Sequence, residues 1–88
     1  MPLLGKGSEA KRIAKRTAVA EALNIIGLKV DDKGNVLEGG AIIGSLTPEG
    51  DFHYPPHHEH WAMMDPIKTV MWGLGRSTVR SEEWEPNA

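Results

Sequence analysis

Between residues 25 and 54, short apolar runs alternate with turn-forming residues at close intervals. Leu28-Lys29-Val30 is followed by Asp31-Asp32-Lys33-Gly34, and Asn35-Val36-Leu37 by Glu38-Gly39-Gly40. Ala41 to Leu46 is followed by Thr47-Pro48-Glu49-Gly50, ahead of Asp51-Phe52-His53-Tyr54. Gly34 suits the positive φ that closes a short hairpin loop with a bulge, and Pro48 pre-sets φ for the second position of a type I turn ending at Gly50. Brief segments between such turns predict an antiparallel meander of three or four strands. Strand side chains alternate with period two, which places Leu28, Val30, Val36 and Phe52 on one buried face, with either Ile42 and Leu46 or Ile43.

The pattern on either side is helical. Ser8 is a good N-cap with Glu9 in the first turn, the stretch from Ala10 to Ile26 has no Gly or Pro, and Gly27 ends it. On a helical wheel Ala10, Ile13, Thr17, Ala20 and Asn24 share one side, while Val19, Ala22, Leu23 and Ile26 widen the apolar surface in the second half. That half is expected to be buried most of the way round. Asp65-Pro66 reads as a cap and first position of a second, short helix carrying Ile67, Val70, Met71 and Leu74, stopped by Gly73 or Gly75. Arg76 to Arg80 is a candidate brief strand, and Ser81 to Glu85 a single turn or extended stretch. The expected fold is a small α+β domain over residues 1–75, with 1–7 as lead-in, followed by a C-terminal arm over 76–88.

Composition limits the classes open to the chain. Its 88 residues make one domain, and with no cysteine there is neither a disulfide framework nor a thiolate metal site to support a small core. No apolar run approaches the about 20 residues that span a bilayer, so a cytoplasmic protein, or a virion component if the source is viral, is expected. The net charge is −2, but residues 1–27 carry +3, 28–52 carry −3 and 53–88 carry −2. A basic head on an acidic body points to self-complementation between subunits or to a separate anionic partner.

Three clusters are candidates for function. Lys11, Arg12, Lys15 and Arg16 set like charges four apart near a helix N-terminus, which a phosphate backbone or an acidic protein surface would relieve. The same residues also suit a solvated helix face, or one paired with the tail glutamates of this or a neighbouring chain; no aromatic is interleaved with them. His53, His57, His58, Glu59 and His60 supply metal-ligand chemistry, yet their spacing matches no zinc signature, and an exposed polar loop whose histidines cap, stack on Trp61 or line an interface is the expected account. No metal or other cofactor is expected. In the arm, Val79 and Trp84 are the apolar residues among the acidic Glu82, Glu83 and Glu85, so the arm is expected to dock on a partner with Trp84 as anchor.

No nucleophile–base pair or carboxylate pair stands out, and an enzyme is the least expected class. The pattern fits a non-enzymatic structural subunit acting through protein–protein contacts, such as a homo-oligomer or a minor component of a phage-like viral particle. The alternatives are a nucleic-acid-binding accessory protein using the basic helix face and a metal-binding protein using the histidine loop.

Overall fold

The computed structural model describes residues 16–88. The expected Ser8 cap, the lead-in and Lys11, Arg12 and Lys15 lie outside the described residues. The first helix, α1, is helical over 16–25 and turns its Val19–Leu23 stripe inward, with Ala22 and Ile26 half-buried beside it. Thr17 and Asn24, which share the other side of the wheel, are exposed, because burying Val and Leu removes more apolar surface from water than burying Thr and Asn. Ile25 is 86% exposed, so the helix end is not buried all round. Gly27, at φ +93°, stops α1: the Leu28 N–H reaches back to Leu23 O at 3.0 Å and the Gly27 N–H to Asn24 O at 3.0 Å. That is a Schellman cap, and its apolar partners Leu23 and Leu28 are both fully buried.

The chain then forms β1 (Lys29–Val30), β2 (Asn35–Glu38), β3 (Ala41–Leu46) and β4 (Phe52–Tyr54), an antiparallel meander. Local chemistry makes each turn. Asp31 accepts from the backbone N–H of Lys33 at 2.9 Å and of Asn35 at 2.8 Å, and Thr47 Oγ1 accepts from the Asp51 N–H at 3.1 Å. After β4 come a 3-10 turn (Pro56–His58), α2 (Met64–Gly73) and β5 (Thr78–Arg80), and β5 returns parallel to β4. The sheet therefore has five strands in the order β1-β2-β3-β4-β5 and is mixed, where a meander of three or four was expected. The fifth strand joins because α2 supplies the crossover that a parallel neighbour needs.

Two boundaries differ from expectation. Helix α2 begins at Met64, ahead of Asp65, because consecutive turns from His58 (Trp61 N–H to His58 O, Met64 N–H to Trp61 O) lead directly into it. Pro66 sits in the first turn, where its missing N–H has no helical partner to lose. In β3, Ile43 and Leu46 are both 2% exposed, although strict alternation made them exclusive. Val36 pairs with Gly44 and Leu37 with Ile42, leaving Ile43 as the extra residue of a bulge that turns it to the buried side.

One cluster joins Val19 and Leu23 of α1, Met64, Ile67 and Met71 of α2, and Val36, Leu46, Phe52 and Tyr54 of the sheet, so both helices cover the same sheet face. Phe52 is fully buried at its centre. Its ring lies over Gly44, where a Cβ would meet the ring and stand 2.7 Å from His53 O.

Candidate functional site

The other sheet face carries one row of side chains in register: Asn35 opposite Ser45, Ser45 opposite His53, and His53 beside Val79. The alternation that sends Val36, Leu46 and Phe52 to the core sends this row away from it. Asn35 and Ser45 are nonetheless 3% and 7% exposed. What covers them is the C-terminal segment. From β5 it turns at Ser81, whose N–H bonds Tyr54 O at 3.0 Å, and runs back across β4 and β3 to β2.

Two anchors hold this strap. The Trp84 indole N–H donates to Ser45 Oγ at 3.0 Å. The Asn35 side chain then copies one rung of a β-ladder: its amide N donates to Asn87 O at 2.9 Å and its carbonyl accepts the Asn87 N–H at 2.7 Å. The Asn87 side chain adds a bond to Lys33 O at 2.9 Å. Where an arm docking on a partner was expected, residues 76–88 of the single chain supply β5 and a strap on their own sheet, and Trp84 hydrogen-bonds its own chain. The thirteen residues lack apolar surface of their own, but they have an intramolecular polar row to complete.

Between strap and sheet lies a groove of about 480 Å³. Arg16 and Lys33 line it together with His53, Trp84, Glu83 and Glu85. The Arg16 guanidinium fills the space beside Gly34, so closely that a Cβ there would collide with it. Among the described residues, the groove thus has Arg16 of α1 and Glu83 and Glu85 of the tail in one lining, without an ion pair between them. It also sets an aromatic among cations, which the linear order had separated. Glu82 instead turns toward Arg80, at 3.5 Å.

The histidine loop is divided. His53 belongs to the row, His57 and His58 lie on the 3-10 turn with rings 4.3 Å apart, and His60 is exposed. His58 Nδ1 bonds Ile43 O at 3.0 Å, serving the carbonyl of the bulged residue, and its ring packs 5.1 Å from Trp61. Glu59 accepts from Arg80 at 2.7 Å. That hydrogen bond, against a smaller opposing effect of desolvation, holds the Glu59 carboxyl below its usual range, and the same bond raises the Arg80 guanidinium. Among the described residues no three His, Asp or Glu side chains converge to hold an ion, and no helix there is long and apolar enough to cross a membrane.

Elsewhere the chain exposes large apolar side chains. Trp72 is 85% exposed at the end of α2, and Leu74 and Val79 are each 40% exposed. Trp72 lines a shallow cleft with Ser77 and Thr78, beside the outer edge of β5. Val79, which was expected to meet a partner, is one of these exposed residues. Trp72, beside the apolar residues of α2 in sequence, was not among the residues expected to bind a partner. No protein-family model matches the chain, and no curated protein or solved structure matches it.

Proposed function

We propose that this chain is a non-enzymatic assembly subunit that works through protein–protein contacts, chiefly with further copies of itself. The observation that carries this reading is the apolar exposure on both sides of the β5 edge: Trp72 on the helix side and Val79 on the opposite face, with Leu74 just after α2, stand in water on a domain of 88 residues that has few large apolar side chains to spare. Aromatic anchors set beside an open sheet edge are what association surfaces use. A minor component of a larger particle, viral or cytoplasmic, is the setting that suits so small a chain. Sedimentation velocity across a concentration series tests the reading. Association that rises with concentration and falls in Trp72→Ala is expected, and a monomer at every concentration overturns it.

A second reading, nucleic-acid binding, draws support from Trp84 standing beside Arg16 and Lys33 in the groove. Glu83 and Glu85 on the same wall oppose a phosphate backbone, so assembly is preferred. Retention of single-stranded DNA or RNA by the purified protein, lost in Lys33→Gln and in high salt, would reverse the preference.

A further inference from the structure

The β5 edge has a defined hydrogen-bonding direction. The Phe52 N–H bonds Ser77 O at 2.9 Å and the Ser81 N–H bonds Tyr54 O at 3.0 Å, so the odd-numbered residues of this stretch spend their backbone groups on β4. In a parallel pair the alternate residues point the opposite way. Thr78 and Arg80 therefore aim their N–H and C=O groups outward, where among the described residues no further strand follows. The side chains flank this edge from both sides. Val79 lies on the strap face, in register with His53, while Thr78 lies on the helix face, where it shares a cleft with Trp72.

The residues along this edge are complementary to themselves when reversed. With a two-fold axis at Val79, Thr78 faces Arg80 of the second copy and Val79 faces Val79 across the three residues of β5. No like charges are opposed. A parallel pairing in the same register would instead set Arg80 on Arg80, a destabilising arrangement. The axis also agrees with the hydrogen-bond parity: Thr78 and Arg80, which point outward, become the bonded pair, and Val79 meets Val79 in the close non-bonded position.

Resting on the assembly reading above, we propose that two copies of this chain pair antiparallel through β5, with the two-fold axis at Val79, to form one sheet continuous across the dimer. A strand pairing this short covers less than the about 1,200 Å² of a standard interface, so the dimer is a concentration-dependent one that further contacts of the assembly reinforce.

The chain has no cysteine, which allows a clean crosslinking test on the full-length protein. In the proposed register the Val79 Cα atoms stand about 4.5 Å apart, within disulfide range. The Thr78 Cα atoms are offset by two residues, about 7 Å along the strand, and fall outside it. Val79→Cys is expected to oxidise to a covalent dimer, Thr78→Cys to remain monomeric, and a mixture of Thr78→Cys with Arg80→Cys to crosslink. In parallel, Thr78→Pro removes an outward donor without touching the β4 ladder, and should weaken association about tenfold, as for two backbone bonds left unmade. Association that persists while Val79→Cys crosslinks no better than Thr78→Cys overturns the edge pairing and leaves the assembly reading standing. A monomer at all concentrations, in which none of the variants crosslinks, overturns both.

Discussion

Replacing Gly44 by Ala tests how the sheet and the Phe52 ring share space. An ideal Cβ at this position stands 2.7 Å from both His53 O and Phe52 Cε1, and nearer still to Phe52 Cζ. Real Cβ atoms do not approach so closely, and Phe52 is fully buried, so its ring has nowhere to go without displacing its neighbours. Overpacking of this kind costs about 1–3 kcal/mol. A chain of this size has about 4–13 kcal/mol to lose, so the variant folds, with a midpoint lower by about 4–8 °C for each kcal/mol. Phe52→Leu separates the ring from the backbone contribution, because leucine carries no atoms where Cε1 and Cζ lie. Phe52→Ala is less useful, since losing about 3–5 kcal/mol at the core centre approaches the whole stability. Urea unfolding of the wild type, both single variants and the double variant gives the coupling energy. Gly44→Ala is expected to cost at least about 0.5 kcal/mol less in the Phe52→Leu background, the residual cost being the approach to His53 O. An equal cost in the two backgrounds would refute the claim that the ring sets the requirement for glycine here.

Two further predictions rest on the strap and the first hairpin. Truncation after Ser81 should leave a folded but weakened domain, because the buried Asn35 amide loses its Asn87 partners and Ser45 loses Trp84; about 1–3 kcal/mol is expected for the amide, read by denaturant unfolding, and an unchanged midpoint would show the strap contributes nothing. For Asp31, partial desolvation pushes the carboxyl up, but donation from the Asn35 backbone and side chain and the Lys33 N–H, with the Lys33 charge, outweighs it and leaves the pKa below 3.8. A lowered folded-state pKa means stability that is complete above 3.8 and lost as pH falls through the lower folded value. Thermal unfolding between neutral and strongly acidic pH should therefore show Asp31→Ala losing its deficit relative to wild type at the acidic end, and a deficit constant with pH would contradict this.

Much of the fold was legible in order because its signals are local. Gly27 ends α1 and the Asp31-to-Gly34 and Thr47-to-Gly50 turns close their hairpins through φ preferences and side chains a few residues away, which any reading of neighbours captures. The same holds for the class, an α+β domain, since periodicity distinguishes helix from strand without knowledge of partners. The candidate residues were legible as chemical types: Arg16, Trp84 and the tail glutamates were singled out, and Arg16, Trp84, Glu83 and Glu85 meet in one groove.

Tertiary structure alone decided which surface each of these faces. The bulge that buries both Ile43 and Leu46 arises from how β3 registers against β2, a pairing energy that no period along one strand contains. The strap depends on Asn35 and Asn87, which lie 52 positions apart and resemble ordinary turn residues until the sheet brings them together. Trp72, beside the α2 apolar residues in sequence, stands in water, because the docking angle of α2 is chosen by Met64, Ile67 and Met71 against the sheet. Local sequence sets what each segment prefers to be, and the sum of long-range burial and pairing sets which side of it is left for a partner.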